Sequence, residues 1–525
     1  MVKLSHKTAS YSKKWLERED LIMDFMKKLE KNEKSYTENG AVGYKSTGHK
    51  LVDLNFKIPQ YRQNIDADLF EKSLAEDEVL TLKWLLYLRD IRQGVGERKS
   101  FRHFVKHLCD NHEDLAYRFI AHVDIAEYGR YDDYVWLYMN IKSDKIKNKI
   151  GKILVDRLYD DISCKNNDEG NISLLAKWLP SENASSATTR AMATTLRKEV
   201  FHMSPRIYRK TLSSLRRYLD VVEVKMSNGE WSDIDYCKVP SKANLLYRNA
   251  FSKHDKERRD EFLADLVEGK TEIKAQAMFL HDIVNAYLSS DYFSCIRRLK
   301  FDETLEALWD AQDKCEGFSN TLVVRDGSSS MTWAYNDSNV TPMVVGDALT
   351  LYCAENNEGQ FKNKFISFSA RPEVVDLTGV KTLEDKLEYL GKHTACSSTN
   401  IESVFDLILS TAVKNSMEQS DLPKTVLMVS DLEFNNIPGS DEVLFEEIGK
   451  KFAEHGYKLP KLVFWNVNSR TGTIPITENE NGVILLSGFS KNLMEMVMSS
   501  ETDPYKALKK VLNSSRYDCI SSMYD

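Results

Sequence analysis

The sequence lacks paired cysteines and long apolar runs, and each absence excludes a class of protein. Its eight cysteines are scattered without a CxxC pair, which argues against a zinc knuckle and fits a reducing compartment. No apolar run is long enough to span a bilayer, and the first residues, MVKLSHKTASYSKKW, contain no apolar signal segment. We therefore expect a cytoplasmic or nuclear protein without a membrane partner.

The sequence also lacks an excess of positive charge and the common catalytic motifs. A formal net charge of -7 argues against a chain that coats nucleic acid indiscriminately, although it leaves room for a local basic face. The GxxxxGKS/T, HExxH and GxSxG patterns are absent, so we expect no enzymatic activity. Because 525 residues, 42% of them hydrophobic, exceed what one core usually spans, two or three domains are expected.

The sequence from residue 65 to residue 317 is typical of helical repeats. Phe101, Phe104, Val105 and Leu108 recur at helical spacing. No fixed repeat period is visible, so we predict a degenerate, HEAT-like helical-repeat body. The polar residues 1–64 before it are predicted to be a partly irregular N-terminal arm. Further helical patterns cover 115–123, 134–139, 150–158, 191–201, 207–219 and 262–266.

Residues 318–525 alternate between strand-like and helical stretches, which predicts an α/β doubly wound domain. The spacer at 369–372 is too short for a helix, so the strands on either side of it should form a hairpin with one antiparallel edge strand. Predicted strands cover 321–325, 364–368, 373–377, 425–430, 461–467 and 483–486. Predicted helices cover 345–355, 383–390, 401–412, 442–455, 491–498 and 504–511.

Candidate metal ligands lie in three loops of this domain. Asp326, Ser328 and Ser330 come directly after the first predicted strand, Thr399 lies in a polar loop before a helix, and Asp431 follows the fourth strand. Open α/β sheets place ligands beyond the carboxyl ends of their strands, and two carboxylates with three hydroxyls match a hard cation such as Mg²⁺ or Mn²⁺. The alternative is that the serines form a polar loop, Thr399 caps its helix and Asp431 is a turn residue.

The same residues resemble the metal-ion-dependent adhesion site of von Willebrand factor A domains. The resemblance rests on DGSSS at 326–330, on Thr399, on Asp431, and on the order of strands, hairpin and helices over about 318–515. It implies that DGSSS forms the first metal loop, Thr399 the second and Asp431 the third, holding Mg²⁺, Mn²⁺ or Ca²⁺ whose shell a partner's carboxylate completes. One difference is that the second loop has CSS at 396–398, where the family commonly has glycines.

Two segments of the helical half, LRDIRQGVGERKSFRHF at 88–104 and AEYGRYDDYVWL at 126–137, carry a second resemblance. They are similar to the TROVE module, which is the repeat module of the Ro autoantigen, telomerase and vault RNA-binding proteins. A closer match is an uncharacterised family of the same two-part build, to which we assign the segments at 173–186, 208–219 and 239–255. In Ro-type proteins the helical repeats close into a ring that the A domain bridges, and the ring holds misfolded or structured small RNAs. The resemblance therefore implies a ring-like body and a small structured RNA as partner.

A local excess of basic residues favours RNA binding independently of the resemblance. The stretch from residue 190 to residue 217 contains eight lysines and arginines but a single acid, Glu199. In an acidic chain this is a local reversal of sign that suits phosphate contacts. Tyr208, Tyr218 and Trp178 are candidates to stack on unpaired bases. The alternative is that the basic residues lie on solvated helix faces or pair with acids of neighbouring repeats. The eight candidate RNA-binding residues are Arg190, Arg197, Lys198, Arg206, Arg209, Lys210, Arg216 and Arg217.

A second basic group surrounds the glycine turn at 94–96, and the same two interpretations apply to it. Two functional hypotheses follow from the whole sequence. The first is a non-catalytic, RNA-binding component of a ribonucleoprotein that grips a small structured RNA through its basic helical face. The second is a protein-interaction scaffold that recruits a partner's carboxylate through the metal site, without RNA. The second basic group consists of Arg89, Arg92, Arg98, Lys99, Arg102 and His103.

Overall fold

The residues that the structure describes cover most of the chain. The part of the predicted N-terminal arm before residue 34, the start of the predicted hairpin spacer and the first residue of the predicted helix at 442–455 lie outside the described residues. The computed structural model describes residues 34–524 except 63, 169, 276–277, 289–298, 316, 334–339, 369–370, 395, 437–442, 476–482 and 499–502.

The N-terminal segment from residue 34 to residue 62 is more ordered than the sequence indicated. It begins with two short antiparallel strands, β1 (Lys34–Tyr36) and β2 (Val42–Tyr44). Its partners are distant in sequence: Tyr44 and Ile474 exchange backbone hydrogen bonds of 2.8 and 2.9 Å. A polar segment without its own core looks irregular in sequence, and it becomes ordered here because the helical body and the C-terminal half both cover it.

The helical body begins within this segment and continues to residue 310. Its helices bury the apolar positions that recur at helical spacing; Phe101, Phe104, Val105 and Leu108, for example, are all fully buried. The predicted helical body is confirmed in this coarse sense. The helices are α1 (Lys50–Phe56), α2 (Ala67–Glu76), α3 (Glu78–Arg89), α4 (Lys99–Asn111), α5 (Glu113–His122), α6 (Ile125–Tyr128), α7 (Tyr131–Asn140), α8 (Asp144–Asn167), α9 (Leu175–Trp178), α10 (Ala187–Thr195), α11 (Pro205–Tyr218), α12 (Val222–Asn228), α13 (Ser241–His254), α14 (Lys256–Val267), α15 (Leu280–Leu288) and α16 (Glu303–Asp310).

The C-terminal half is an α/β domain built on a six-stranded sheet. The strand order is β5-β4-β3-β6-β7-β8, and only β5 runs antiparallel to its neighbour. The strands are β3 (Thr321–Asp326), β4 (Lys364–Phe368), β5 (Glu373–Asp376), β6 (Thr425–Ser430), β7 (Lys461–Asn466) and β8 (Val483–Ser487). The helices are α17 (Pro342–Asn356), α18 (Leu383–Lys392), α19 (Glu402–Lys414), α20 (Leu444–Glu454), α21 (Met494–Met498), α22 (Pro504–Leu512) and α23 (Asp518–Ser521).

The predicted alternation of strands and helices is confirmed in this domain. Strands β4 and β6 have the predicted bounds, and the hairpin of β4 and β5 supplies the expected antiparallel edge strand. All six residues of β3 are buried, as expected for a parallel strand covered on both faces. Among the described residues, no helix combines the length and apolar character needed to cross a membrane.

The helical body both begins and ends on the α/β domain. At its start, the carbonyl of Phe56 accepts hydrogen bonds from Asn466 Nδ2 at 2.9 Å and Ser487 Oγ at 2.6 Å. At its end, Glu306 accepts a hydrogen bond from the backbone N–H of Leu383 at 2.7 Å.

The two ends of the body also approach each other at one junction. Gly96 has a φ of +79°, and a Cβ added there would lie 2.7 Å from the ring of Phe279. The His281 ring packs edge-on against Phe489 of the α/β domain, with centroids 5.3 Å apart. The guanidinium of Arg62 covers the same Phe489 ring at 3.7 Å. The start of the body, its end and the α/β domain therefore meet at this junction.

Candidate functional site

The carboxyl ends of β3 and β6 bring the first and third candidate metal loops together. The two strands are adjacent and parallel, with Val324 opposite Met428 and Arg325 opposite Val429. Because parallel strands end at the same edge of a sheet, Asp326 and Asp431 lie in neighbouring loops. Both carboxylates are completely buried.

The first loop is held by a compact set of hydrogen bonds. Asp326 accepts one from the Ser328 backbone N–H at 2.9 Å and one from the Ser430 hydroxyl at 2.5 Å. The Ser328 and Ser330 hydroxyl oxygens are 3.0 Å apart. Burial raises the pKa of Asp326, although the hydrogen bonds from Ser430 and Ser328 counteract it. The loop therefore presents one carboxylate and two hydroxyls in a confined space.

Asp431 carries a buried oxygen that has no hydrogen-bond partner among the described residues. This atom, Oδ2, lies 3.3 Å from Nη1 of Arg470, but not in hydrogen-bond geometry. Burial and the nearby Asp326 carboxylate raise the pKa of Asp431 to about 7, although Arg470 and the Ser330 hydroxyl act in the opposite direction. The site thus places two mutually repelling carboxylates beside one guanidinium.

Thr399 lies in the second loop, which is tied to both others through the backbone. Its carbonyl accepts the Asn435 N–H at 2.9 Å, and the Ser397 carbonyl accepts the Ser329 N–H at 3.0 Å. Thr399 is not the helix cap, because α19 starts after Ile401. Cys396 has a φ of 44°, a left-handed conformation that suits glycine. A cysteine in this conformation therefore carries backbone strain.

Sequence reasoning missed the residues that surround this site. Glu433 is completely buried and accepts backbone N–H groups from Arg470 at 2.7 Å and Thr471 at 2.9 Å. The same carboxylate accepts the N–H of Glu38 at 2.8 Å, which ties the N-terminal segment to the site. The Glu38 carboxylate in turn lies 2.7 Å from Nη2 of Arg470. Glu433 follows Asp431 in the SDLEFN segment, but no local pattern indicates the contacts of Arg470 or Glu38.

The chemistry of this donor set fits a hard cation in part. The unpartnered Oδ2 of Asp431 and the paired hydroxyls of Ser328 and Ser330 are oxygen donors of the kind that Mg²⁺ takes. Within the described ranges, however, no three His, Cys, Asp or Glu side chains converge into a metal-binding group. A cation here would therefore depend on hydroxyls and water, with Asp326 and Asp431 as its only nearby carboxylates in the predicted ligand set.

The structure divides the eight candidate RNA-binding residues into two kinds. Arg206, Arg209, Lys210 and Arg217 are exposed on α11, and at 3.6 residues per turn their positions fall within about 100° of the helix surface. They form a stripe opposite the buried Tyr208, Leu212 and Leu215. In the described part of the chain, none of the four pairs with an acid. We call these four residues the basic stripe.

Two other candidates have structural roles instead. Arg197 is buried and pairs with Glu182 at 2.6 Å. Arg216 donates to the carbonyls of Ala176 at 2.8 Å and Leu179 at 2.7 Å, and burial lowers its pKa. Neither guanidinium is free to contact phosphate, because both hold the α9–α10 region together. Lys198 and Arg190 are exposed, and Arg190 donates to backbone carbonyls beside its own helix.

The predicted stacking residues are not exposed platforms. Tyr208 is completely buried, and its hydroxyl donates to the Pro180 carbonyl at 2.9 Å. Tyr218 donates to the Gly170 carbonyl at 2.9 Å, and Trp178 is half-buried under the guanidinium of Arg130 at 4.6 Å. Burial of Tyr208 follows from its position on the apolar side of α11.

All four arginines of the second basic group pair with acids on neighbouring helices. Arg89 and Arg102 both contact the buried carboxylate of Asp133, at 2.8 and 2.6 Å. Arg92 pairs with Glu127 at 3.1 Å and Arg98 with Asp132 at 3.4 Å. These contacts match the alternative interpretation, in which the arginines bind acids across the repeats.

Comparisons with known proteins assign the chain to a family. The family described as "Domain of unknown function (DUF2828)" matches residues 37–121 and 137–316, together more than half of the chain, and "Domain of unknown function (DUF7788)" matches residues 320–517. An uncharacterized protein of Acanthamoeba polyphaga mimivirus is 31% identical over 537 residues, which cover 94% of this chain and 91% of that protein.

Among solved structures, the crystal structure of Deinococcus radiodurans RO (RSR) protein aligns with 85% of this chain and 92% of its own, at 13% identity. Its TM-score of 0.34 is below the level at which a shared fold follows. The matches in sequence are stronger, and they cover both halves. The chain therefore belongs to the DUF2828 family.

Proposed function

We propose that this protein is a non-catalytic RNA-binding component of a ribonucleoprotein, and that the basic stripe of α11 is its main phosphate contact. The observation that carries this proposal is the alignment of Arg206, Arg209, Lys210 and Arg217 on one exposed helix face without acidic partners in the described residues. On a chain with a net charge of -7, such a face is a local reversal of sign. Arginines in this arrangement suit phosphate oxygens, which they bind through paired N–H groups.

The salt dependence of the expected binding follows from counterion release. Four phosphate contacts, each releasing about 0.7 counterions on a single strand or about 0.9 on a duplex, weaken binding about 50- to 150-fold when salt rises from about 50 to about 200 mM. With only one contact left, the same change in salt weakens binding about 3-fold. The salt dependence therefore reports how many basic residues contact the RNA.

The test compares the wild-type chain with an Arg206, Arg209 and Arg217 triple alanine variant. A fluorescein-labelled RNA hairpin is titrated at both salt concentrations, and fluorescence anisotropy measures the dissociation constant. We expect the variant to bind more weakly at low salt and to lose most of the salt dependence. The matched control replaces the exposed Lys362, Lys424 and Lys458 of the α/β domain with alanine, which removes the same charge away from the stripe. Equal losses in both triple variants, or no binding by the wild type at low salt, would contradict the proposal.

A second candidate function rests on the α/β domain. We infer that this domain is a von Willebrand factor A-like domain whose adhesion site binds Mg²⁺, Mn²⁺ or Ca²⁺ and recruits a partner's carboxylate. The buried Oδ2 of Asp431, which accepts no hydrogen bond from the described residues, supports a cation beside Ser328 and Ser330. Trp333 follows this loop with 73% of its surface exposed, and tryptophan is a common anchor of protein interfaces.

The metal-dependent function is tested without knowing the partner. Isothermal titration of the full chain with Mn²⁺ should show one site that is lost in Asp326→Ala. The control is Asp376→Ala, which removes an exposed carboxylate on the edge strand β5. Absence of a binding isotherm in the wild type, or an isotherm unchanged in Asp326→Ala, would remove this candidate function and leave the RNA proposal untouched.

A further inference from the structure

The neighbourhood of Asp431 contains a positive charge that the adhesion-site residues do not explain. Arg470 follows β7, and its guanidinium lies between two carboxylates: Nη1 is 3.3 Å from Asp431 Oδ2 and Nη2 is 2.7 Å from Glu38 Oε2. Its Nε is buried and has no hydrogen-bond partner within the part of the chain that the structure describes. The guanidinium is therefore held by its two ends, with one acid of the candidate site on one side and one acid of the N-terminal segment on the other.

We propose that Arg470 sets the cation affinity of this site, because its guanidinium competes with a divalent cation for Asp431 while Glu38 holds it partly away. The inference rests on the proposed cation site and adds two residues to it. Arg470 acts as the determinant of affinity, and Glu38 acts as its positioning residue. Both lie outside the loops that carry the predicted ligands.

The backbone of Arg470 is fixed, so only its side chain can choose between the two acids. The Arg470 N–H donates to Glu433 at 2.7 Å, and the following N–H of Thr471 donates to the same buried carboxylate at 2.9 Å. The side chain is 30% exposed, which leaves room for it to move toward solvent. A cation that binds Asp431 Oδ2 meets this guanidinium first, since both positive charges need the same oxygen.

The position of Glu38 is set independently of Arg470. Its backbone N–H donates to Glu433 Oε2 at 2.8 Å, and the hydroxyl of the preceding Thr37 donates to the Phe434 carbonyl at 2.6 Å. The next residue, Asn39, donates from Nδ2 to the Glu433 carbonyl at 2.5 Å. The N-terminal segment therefore carries Glu38 to the edge of the site and keeps it there when its side chain is changed.

These contacts predict effects of opposite sign for two neighbouring residues. Arg470→Met removes the competing charge at nearly constant length, and we expect Mn²⁺ affinity to rise about tenfold or more. Glu38→Gln removes the negative charge that draws Arg470 away from Asp431, and we expect Mn²⁺ affinity to fall about threefold or more. Arg470→Lys keeps the charge and should stay closer to the wild type than Arg470→Met does. A merely structural role would weaken binding in all variants, because each would loosen the same loops.

The experiment titrates Mn²⁺ into the full-length wild type and the three variants by calorimetry, and amide hydrogen exchange of residues 37–48 checks that the N-terminal segment stays docked. Tighter binding in Arg470→Met with weaker binding in Glu38→Gln supports the inference. Unchanged affinity in both, or weaker binding in both, overturns it while the cation site stands. Absence of Mn²⁺ binding in the wild type overturns the cation site and, with it, the inference that rests on that site.

Discussion

His281 makes the junction between the helical body and the α/β domain sensitive to acid. Its ring is stacked on Phe279 with centroids 5.1 Å apart and packs edge-on against Phe489. Its Nδ1 is buried, and no described residue forms a hydrogen bond with it. Burial lowers the pKa of His281 to about 4; the nearby Arg62 and Lys242 charges also lower it, whereas Asp282 acts in the opposite direction.

The sign of the effect follows from the two pKa values. In the unfolded chain histidine takes up a proton below about pH 6.5, whereas in the folded chain His281 does so only below about pH 4. Between these pH values the unfolded chain binds the proton and the folded chain does not, so protonation stabilises the unfolded state. The free energy of unfolding therefore has its full value above about pH 6.5 and decreases as the pH falls toward 4. The full loss is about 3 kcal/mol, of which about 2 kcal/mol is reached at pH 5.

The assay is urea unfolding of the wild type and His281→Phe at pH 7.5 and pH 5. Phenylalanine keeps a ring against Phe279 and Phe489 but cannot take up a proton. All other titrating groups are common to both chains, so the difference between them isolates His281. We expect the variant to gain about 2 kcal/mol relative to the wild type when the pH is lowered from 7.5 to 5. If the two chains lose stability in parallel over this range, the reasoning is wrong.

Three further predictions test other parts of the structure. Arg325 and Asp347 form a completely buried ion pair, with Nε 2.7 Å from Oδ1. Asp347→Leu alone leaves the Arg325 charge buried without its acid and should lower the free energy of unfolding by about 3 to 5 kcal/mol in urea unfolding. The Arg325→Met, Asp347→Leu double variant should recover much of this loss. In Glu433→Gln an amide replaces one of the oxygens that accept the N–H groups of Glu38, Arg470 and Thr471, and amide exchange of residues 37–48 should accelerate about 30- to 150-fold; unchanged protection there would contradict the proposed docking. Cys396→Gly should raise the thermal midpoint, since it relieves about 1 kcal/mol at a φ of 44°; an equal or lower midpoint would show that the strain is compensated elsewhere.

Much of the α/β domain was predictable because its signals are local. A parallel strand buried on both faces, such as β3, is a continuous apolar run in sequence. The loop that follows it carries the Asp326, Ser328 and Ser330 pattern, and the equivalent position after β6 carries Asp431. The burial of Tyr208 was equally predictable from the sequence, because Tyr208 shares the helical spacing of Leu212 and Leu215.

The rest depended on contacts between distant parts of the chain. Charge counting identified a basic stretch, but it could not separate Arg209, which is exposed, from Arg197, which is buried against Glu182. The contact between Arg470 and Glu38 joins residues more than four hundred positions apart, and neither sits in a recognisable motif. The ordering of the N-terminal segment was missed for the same reason, since partners such as Ile474 and Ser487 lie in the C-terminal half.

The docking of the N-terminal segment onto β7 and β8 has a consequence for biosynthesis. The Phe56 carbonyl can accept its hydrogen bond from Ser487 only after Ser487, which is 431 positions later in the chain, has been synthesised. At about 5 to 20 residues per second, the ribosome needs about 20 to 90 s to reach it. During this time the first strands and the first helix lack their contacts with the α/β domain, and the early body helices expose the surfaces that the C-terminal helices will cover. The contacts between residues 34–62 and the α/β domain therefore form last. A nascent-chain chaperone that shields residues 34–62 should aid production of the protein more than one that acts on the α/β domain.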